Sequence, residues 1–393
     1  MFLDQIRKYN PDLLKTALEF HQSGIIPPST FIIDLDMVID NTHALVKSAQ
    51  KNNLSQYFIS KQVGFNPIFA KEISKNGIQK AVAVDWNEAI NMLRNNIPLG
   101  HVGHLVQIPN CFIEKFLKSN PEVITVFSFE KARQLSEFAQ KEQLQVNVLL
   151  RVVDNNDFIY SGQAGGFQLS QLDKNLDEIH SLPNINIAGV TAFPCTTFDP
   201  QKNCYVPTKN LHTLKKAAEI ITKHYATEHL QINAPGNSCC NTYPLIRENG
   251  GTHVEPGNAL TGTTPIHAVS SQPEKPALIH VTEISHFYKN IYYCYGGGLY
   301  RRSTVSKALI GNTLTSLHEA KVISPDKTAI DYYVGLKMNQ KEKAAVGDSV
   351  IWSSRAQLFV TRSHVAIIKG IQHGNPELVG IYNPFGLDAN LKV

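Results

Sequence analysis

Short apolar runs alternate along the first two thirds of the chain with stretches of helical period. The runs are FIIDLD (31–36), YFIS (57–60), AVAV (81–84), HLVQI (104–108), VITVF (123–127), VNVLLRV (146–152), IAGVTAF (187–193) and LQIN (230–233). Between them lie segments such as NTHALVKSAQKNN and NLHTLKKAAEIITKHYA, whose apolar positions recur every three or four residues. This is the rhythm of repeated strand–helix units, and eight of them predict a closed (β/α)8 barrel of the TIM type. Open doubly wound sheets share the same local signal.

After residue 270 the texture changes. SSQPEKPALIHVTEISHFY, NIYYCYGGGLYRR, DSVIWSSRAQLFVTRSHVAIIKGI and ELVGIYNPFG are rich in β-branched and aromatic residues and poor in helical period. They predict a C-terminal all-β domain over 273–393, with Pro273 and Pro276 at the seam. The barrel domain then spans 1–272, and its first two dozen residues form a helical segment outside the barrel pattern, able to pack against either part.

Composition narrows the function class. The chain has 393 residues, 42% of them hydrophobic, long enough for more than one core. Its 37 basic and 33 acidic residues are dispersed, and no like-charge block marks a nucleic-acid or membrane surface. Six cysteines without a C-x-x-C spacing indicate neither a zinc site nor a disulfide framework, which fits a reducing cytosol. The N-terminus MFLDQIRKYNPDLLK lacks an apolar leader, and no apolar run reaches the roughly 18 residues of a membrane span. A soluble, cytoplasmic protein is expected.

Three stretches carry chemistry. In QYFISKQVGFNP, Lys61 ends a short apolar strand and is followed by a turn at Gly64 and Pro67. In NAPGNSCCNTYPL, the turn Gly236, Asn237, Ser238 follows a strand, and freed backbone N–H groups beside a hydroxyl make a phosphate cradle. In GGTHVEPGNALTG, Glu255 stands before the rigid Pro256–Gly257 turn, which can present a carboxylate into a pocket. A lysine at a strand end, a phosphate cradle and a fixed carboxylate form the set required to hold pyridoxal 5'-phosphate.

With these motifs in hand, the chain resembles the fold-type III, alanine racemase-like pyridoxal-phosphate enzymes, and within them the YhfX family of presumed amino-acid racemases. The resemblance runs from FIIDLDMVIDN through FISKQVGFNP, HLVQIP, AGVTAFPC, NLHTL, THVEPGNALTG and CYGGGLYRR to FVTRSHV. It implies a barrel followed by a β domain, in a head-to-tail homodimer whose sites borrow residues from the partner. Lys61 falls on the family's Schiff-base lysine, Gly236, Asn237 and Ser238 on its phosphate turn, and Gly257 and Asn258 on a second phosphate-contacting turn. Glu255 stands where alanine racemases carry an arginine and the related decarboxylases a glutamate, so the resemblance implies a carboxylate that keeps the pyridine nitrogen protonated.

Departures are equally specific. Phe65 and Ala192 replace a tyrosine and a histidine common in alanine racemases, and Asn258 replaces the arginine of the decarboxylase motif. Arg151 lies at a strand end within reach of the mouth. In YYCYGGGLYRR the resemblance implies a second acid/base from the partner: Tyr295, as in alanine racemases, or Cys294, as in decarboxylases. His364 lacks the cysteine that follows two residues later in metal-dependent relatives, Ala366 standing there, so no metal is expected. Arg301, Arg302, Arg355 and Arg362 are candidate anion contacts.

The implied activity is amino-acid racemisation by abstraction of the α-proton from an external aldimine, with a small amino acid as the partner molecule and no nucleic acid or membrane. The alternatives are a decarboxylase and a non-catalytic pyridoxal-phosphate-binding protein.

Overall fold

A computed structural model describes residues 1–225, 230–300, 305–326, 328–339, 341–389 and 391. The chain divides into two compact units, one of residues 42–59 and 70–257 and the other of residues 1–41, 60–69 and 258–393.

In the first unit, parallel strands run in the order Ser55–Gln56, His253–Val254, Gln231–Asn233, Ile185–Thr191, Val146–Val153, Val123–Val126, Leu99–Val102, Ala81–Ala83, Phe58–Ile59. The first and last are halves of one extended segment interrupted at Tyr57, so the sheet returns to its starting strand as an eight-stranded barrel among the described residues. Tyr57 N–H donates to the Val254 carbonyl (3.1 Å) and Phe58 N–H to the Lys80 carbonyl (3.1 Å), one bond to each side of the closure. The strands are short and apolar because both of their faces are covered, which is how parallel barrel strands read in sequence. Side-chain caps punctuate the helices: Asp85 accepts from Glu88 N–H ahead of Trp86–Arg94, and Ser128 from Lys131 N–H ahead of Phe129–Lys141.

Two of the eight expected strands fall elsewhere. His104–Ile108 is irregular chain, and the strand beside it is Leu99–Val102. The 31–36 run forms Thr30–Asp34, which pairs antiparallel with Leu278–Tyr288 and parallel with His364–Lys369 in the other unit. His253–Val254 closes the barrel instead; two residues beside Gly250 and Gly251 carry too little periodicity to be read as a strand.

The second unit is built on a nine-stranded sheet. Six of its strands, Leu278–Tyr288, Ile291–Tyr295, Tyr333–Lys337, His318–Ile323, Lys307–Gly311 and Ser349–Trp352, close on themselves because the first pairs with both the second and the last. Ile284, Cys294, Ile310, Val334, Leu336 and Trp352 belong to the core cluster of this unit's ring of strands. The N-terminal helices Phe2–Tyr9 and Pro11–Gln22 belong here too. Leu3, Ile6, Leu13, Ala17 and Leu18 share a core with Ile32, Ile279, Ile351 and Ile368, each fully buried large aliphatic contributing about 1.5–3 kcal/mol. The compact units therefore do not follow a division at residue 272, since residues 1–41 and 258–272 group with the β strands. No helix among the described residues is long and apolar enough to cross a membrane.

Candidate active site

The carboxyl ends of the barrel strands gather a cluster of buried polar side chains around Glu255. This residue follows the last strand and is fully buried, its side chain showing no exposure. Its Oε1 accepts from Asn233 Nδ2 (2.7 Å) and lies 2.6 Å from His101 Nδ1. The other nitrogen of His101 bonds to Thr125 Oγ1, so this histidine bridges two strands through both ring atoms. Glu255 Oε2 makes no hydrogen bond among the described residues, and His104 Nε2 stands 3.6 Å from it.

Burial opposes charge on Glu255, yet the imidazoles of His104 and His101 and the hydrogen bonds from His101 and Asn233 outweigh it. They hold the carboxyl down at about 2. An ionised carboxylate with one saturated and one open oxygen, out of water, is the acceptor that a protonated ring nitrogen requires. His101, His104 and Glu255 also form a set whose ligand atoms lie within 4.8 Å of one another and could hold a metal ion. A cation there would displace a bond that His101 already makes to Glu255 or Thr125.

The Gly236–Asn237–Ser238 turn adjoins this cluster. Gly236 has φ +129°, and a side chain on it would meet Cys195 N at 3.1 Å and Thr196 N at 3.3 Å, so only glycine fits. Asn237 adopts φ +49° and donates through Nδ2 to the Thr196 carbonyl (3.1 Å). Ser238 Oγ accepts from the Glu255 backbone N–H (3.1 Å), which leaves its hydroxyl proton directed by whatever acceptor sits beside it. One serine thus ties the anion cradle to the carboxylate.

Arg151, Ala192 and Gly257 also lie in the barrel unit, whereas Lys61, Phe65, Asn258, Cys294, Tyr295 and His364 belong to the other unit. Ile59 N–H donates to the Pro256 carbonyl (2.9 Å), and Lys61 comes two residues later in the chain, opening a short 3-10 turn. Gly64 ends that turn at φ +68°, where any Cβ would collide with the Pro384 carbonyl oxygen at 2.8 Å. Phe65, also at positive φ (54°), lies with its ring 5.7 Å from that of Phe359. Asn258, with its amide oriented to satisfy both ends, donates to the Ala356 carbonyl (3.2 Å) and accepts from Arg355 Nε (3.3 Å). Its side chain is therefore engaged within its own unit.

Cys294 and Tyr295 part company. Cys294 is in the β core, its Sγ 3.5 Å from the Val334 carbonyl, and burial pushes its thiol up to about 12. Tyr295 is 39% exposed, with its ring 5.9 Å from that of Tyr333. Ala366 is buried in the core shared with the N-terminal helices, and His364 lies half-buried at the start of its strand. Arg362 bonds Asp331 (3.0 Å), whereas Arg301 and Arg302 lie outside the described residues.

His101, His104, Asn233 and Thr125 were not legible beforehand. Each is a lone polar residue at or near a strand end, and only closure of the barrel brings them to Glu255.

Comparison with known proteins identifies the family and the fold. The description "YhfX-like, C-terminal domain" matches residues 279–378, and "Alanine racemase, N-terminal domain" matches residues 33–265. The uncharacterized protein YhfX of Escherichia coli (strain K12) is 39% identical over 388 residues, covering 98% of this chain and 99% of that protein. The chain belongs to the YhfX family.

YhfX-family chains thereby fall among the alanine racemase-like, fold-type III proteins, which use pyridoxal phosphate. Solved structures share the fold at low identity. Alanine racemase of Clostridium difficile 630 in complex with cycloserine matches with a TM-score of 0.63 at 18% identity, covering 91% of this chain and 98% of that one. D-threonine aldolase from Filomicrobium marinum matches at 0.63 and 12%, covering 91% and 95%. D-threo-3-hydroxyaspartate dehydratase from Delftia sp. HT23 matches at 0.65 and 12%, covering 91% and 97%. The YhfX fold is thus one on which several reactions are carried out.

Proposed function

We propose that this protein is a pyridoxal-phosphate-dependent amino-acid racemase working as a homodimer in the cytoplasm. The observation that carries racemisation is the contrast at the end of Ile291–Tyr295: the tyrosine is exposed, while the cysteine, with its pKa pushed up to about 12, is sealed in the core. A tyrosine is the second acid/base the resemblance associates with racemases, and the cysteine the one it associates with decarboxylases.

Bound here, pyridoxal phosphate would supply a conjugated sink for the electron pair left when the α-proton departs. Lys61 Nζ is assigned to anchor the cofactor's aldehyde carbon and, once released, to move the proton on one face. Tyr295 of the partner subunit is assigned the opposite face through its hydroxyl. Glu255 Oε2 would accept from the ring nitrogen and favour its charged form, with His101 and Asn233 fixing the carboxylate. The Gly236–Ser238 turn and the backbone at Gly257 and Asn258 would offer donors to the phosphate.

Glu255 favours a second reading, decarboxylation, because a protonated ring nitrogen suits loss of either proton or carbon dioxide. Incubating the purified protein with single amino acids in deuterium oxide separates the readings. Exchange of the α-hydrogen with loss of optical activity supports racemisation, release of carbon dioxide supports decarboxylation, and neither supports a binding protein.

A further inference from the structure

Arg151 is a buried cation with no counter-ion among the described residues. Its side chain stands on Val146–Val153 and is 2% exposed. Nη2 donates to the Gln163 carbonyl (2.8 Å), and the guanidinium lies 4.6 Å from the centre of the Phe127 ring. Nε and Nη1 are buried and make no hydrogen bond among the described residues. Among the described residues no carboxylate pairs with it, and burial alone bears on its acidity, disfavouring the charge. A buried charge is retained when something pairs with it, because leaving it unpaired costs several kcal/mol on the order of the desolvation penalty.

Strand register fixes where the side chain points. Arg151 is opposite Thr191, and Thr191 is opposite Asn233. Partners in neighbouring parallel strands project to the same side of the sheet. Asn233 Nδ2 reaches Thr191 Oγ1 (3.4 Å) and Glu255 Oε1, so this row faces the barrel interior at the carboxyl ends of the strands. Arg151 is the third member of that row. Behind it Gly166, at φ +133°, leaves no room for a side chain: a Cβ would lie 2.7 Å from the Arg151 carbonyl oxygen and 3.2 Å from its Cγ. The arginine is packed from behind, and its Nε and Nη1, on different edges of the guanidinium, are each left to meet an anionic oxygen.

We propose that Arg151 is the carboxylate-binding residue of this site and that, on the racemase reading, it takes the α-carboxylate of the amino-acid substrate. It acts there as a binding and orienting group, and it restricts ligands to those with a free carboxylate.

The test is binding of acetate, labelled with carbon-13, followed by NMR titration of the wild-type protein and of Arg151→Met and Arg151→Lys. Expected are saturable binding in the wild type, at least tenfold weaker binding in Arg151→Lys, and none in Arg151→Met. Circular dichroism of the same samples checks that both variants are folded. Equal binding in wild type and a folded Arg151→Met overturns the proposal. A second arm repeats the titration with the protein saturated by pyridoxal phosphate. Retained acetate binding supports the substrate role, whereas complete loss of Arg151-dependent binding assigns the arginine to an anionic oxygen of the cofactor and overturns that role. Acetate binding is read whether or not any amino acid turns over, so failure of the racemase reading leaves this result separately visible.

Discussion

His101 Nδ1 lies 2.6 Å from Glu255 Oε1, and neither side chain has any exposure to solvent. Water cannot screen the carboxylate, so His101 and its Asn233 and His104 neighbours decide the protonation of the carboxyl. That carboxyl is depressed to about 2 from an ordinary value of 4.5. A depressed carboxyl contributes stability that is present above the unfolded value and is lost as pH falls through the folded one. The advantage of wild type over Glu255→Gln should therefore shrink as pH drops from 4.5 toward 2. Urea midpoints at several pH values measure it, and a gap independent of pH would contradict an ionised Glu255. Replacing His101 by leucine leaves the buried carboxylate without its main partner and should cost about 3–5 kcal/mol.

Lys61 opens a turn whose shape is enforced by Gly64, because a Cβ there would strike Pro384. If Lys61 anchors the cofactor, borohydride treatment of protein incubated with pyridoxal phosphate should leave a stable adduct on the peptide containing residue 61. The Lys61→Ala protein should carry none at the site. Mass spectrometry of the digested proteins reads this directly, and a full-yield adduct on another residue of the variant would remove Lys61 from its role.

Cys294 and Tyr295 are neighbours with opposite surroundings. The buried thiol should resist iodoacetamide at pH 8 while the exposed Cys111 reacts. Cys294→Ala should lower stability by about 1–3 kcal/mol and leave α-hydrogen exchange unchanged. Tyr295→Phe should lower exchange about 10²–10⁴-fold, the range of a lost acid/base group, with little change in stability. The reverse pattern of rates would transfer the role to the cysteine.

Shared sites have a signature in mixed chains. A heterodimer of Lys61→Ala with Tyr295→Phe should contain one site with both residues intact and recover up to half of the wild-type exchange per dimer. Recovery requires the tyrosine to come from the other chain. Inactive heterodimers, verified by differential tagging, would instead place Lys61 and Tyr295 in the same subunit's site.

Much of this protein was fixed by local chemistry in its sequence. The alternation of apolar runs and helical periods gave the barrel, and the β-branched, aromatic texture after residue 270 gave the β sheet, because burial on both faces or on one leaves a local imprint. Lys61, the Gly236–Ser238 turn and Glu255 were visible because each sits in a turn whose glycine or proline marks it. Tertiary structure alone decided the rest. Thr30–Asp34 reads like any doubly buried strand, and only pairing with Leu278–Tyr288 and His364–Lys369 assigns it to the β unit. His101, Asn233 and Thr125 converge on Glu255, and Arg151 joins the row of Thr191 and Asn233, through closure of a sheet between residues far apart in the chain. The resemblance puts Tyr295 first and Cys294 close behind it. The register of one strand turned the thiol into the core and left the phenol exposed, since successive side chains in a strand face opposite ways.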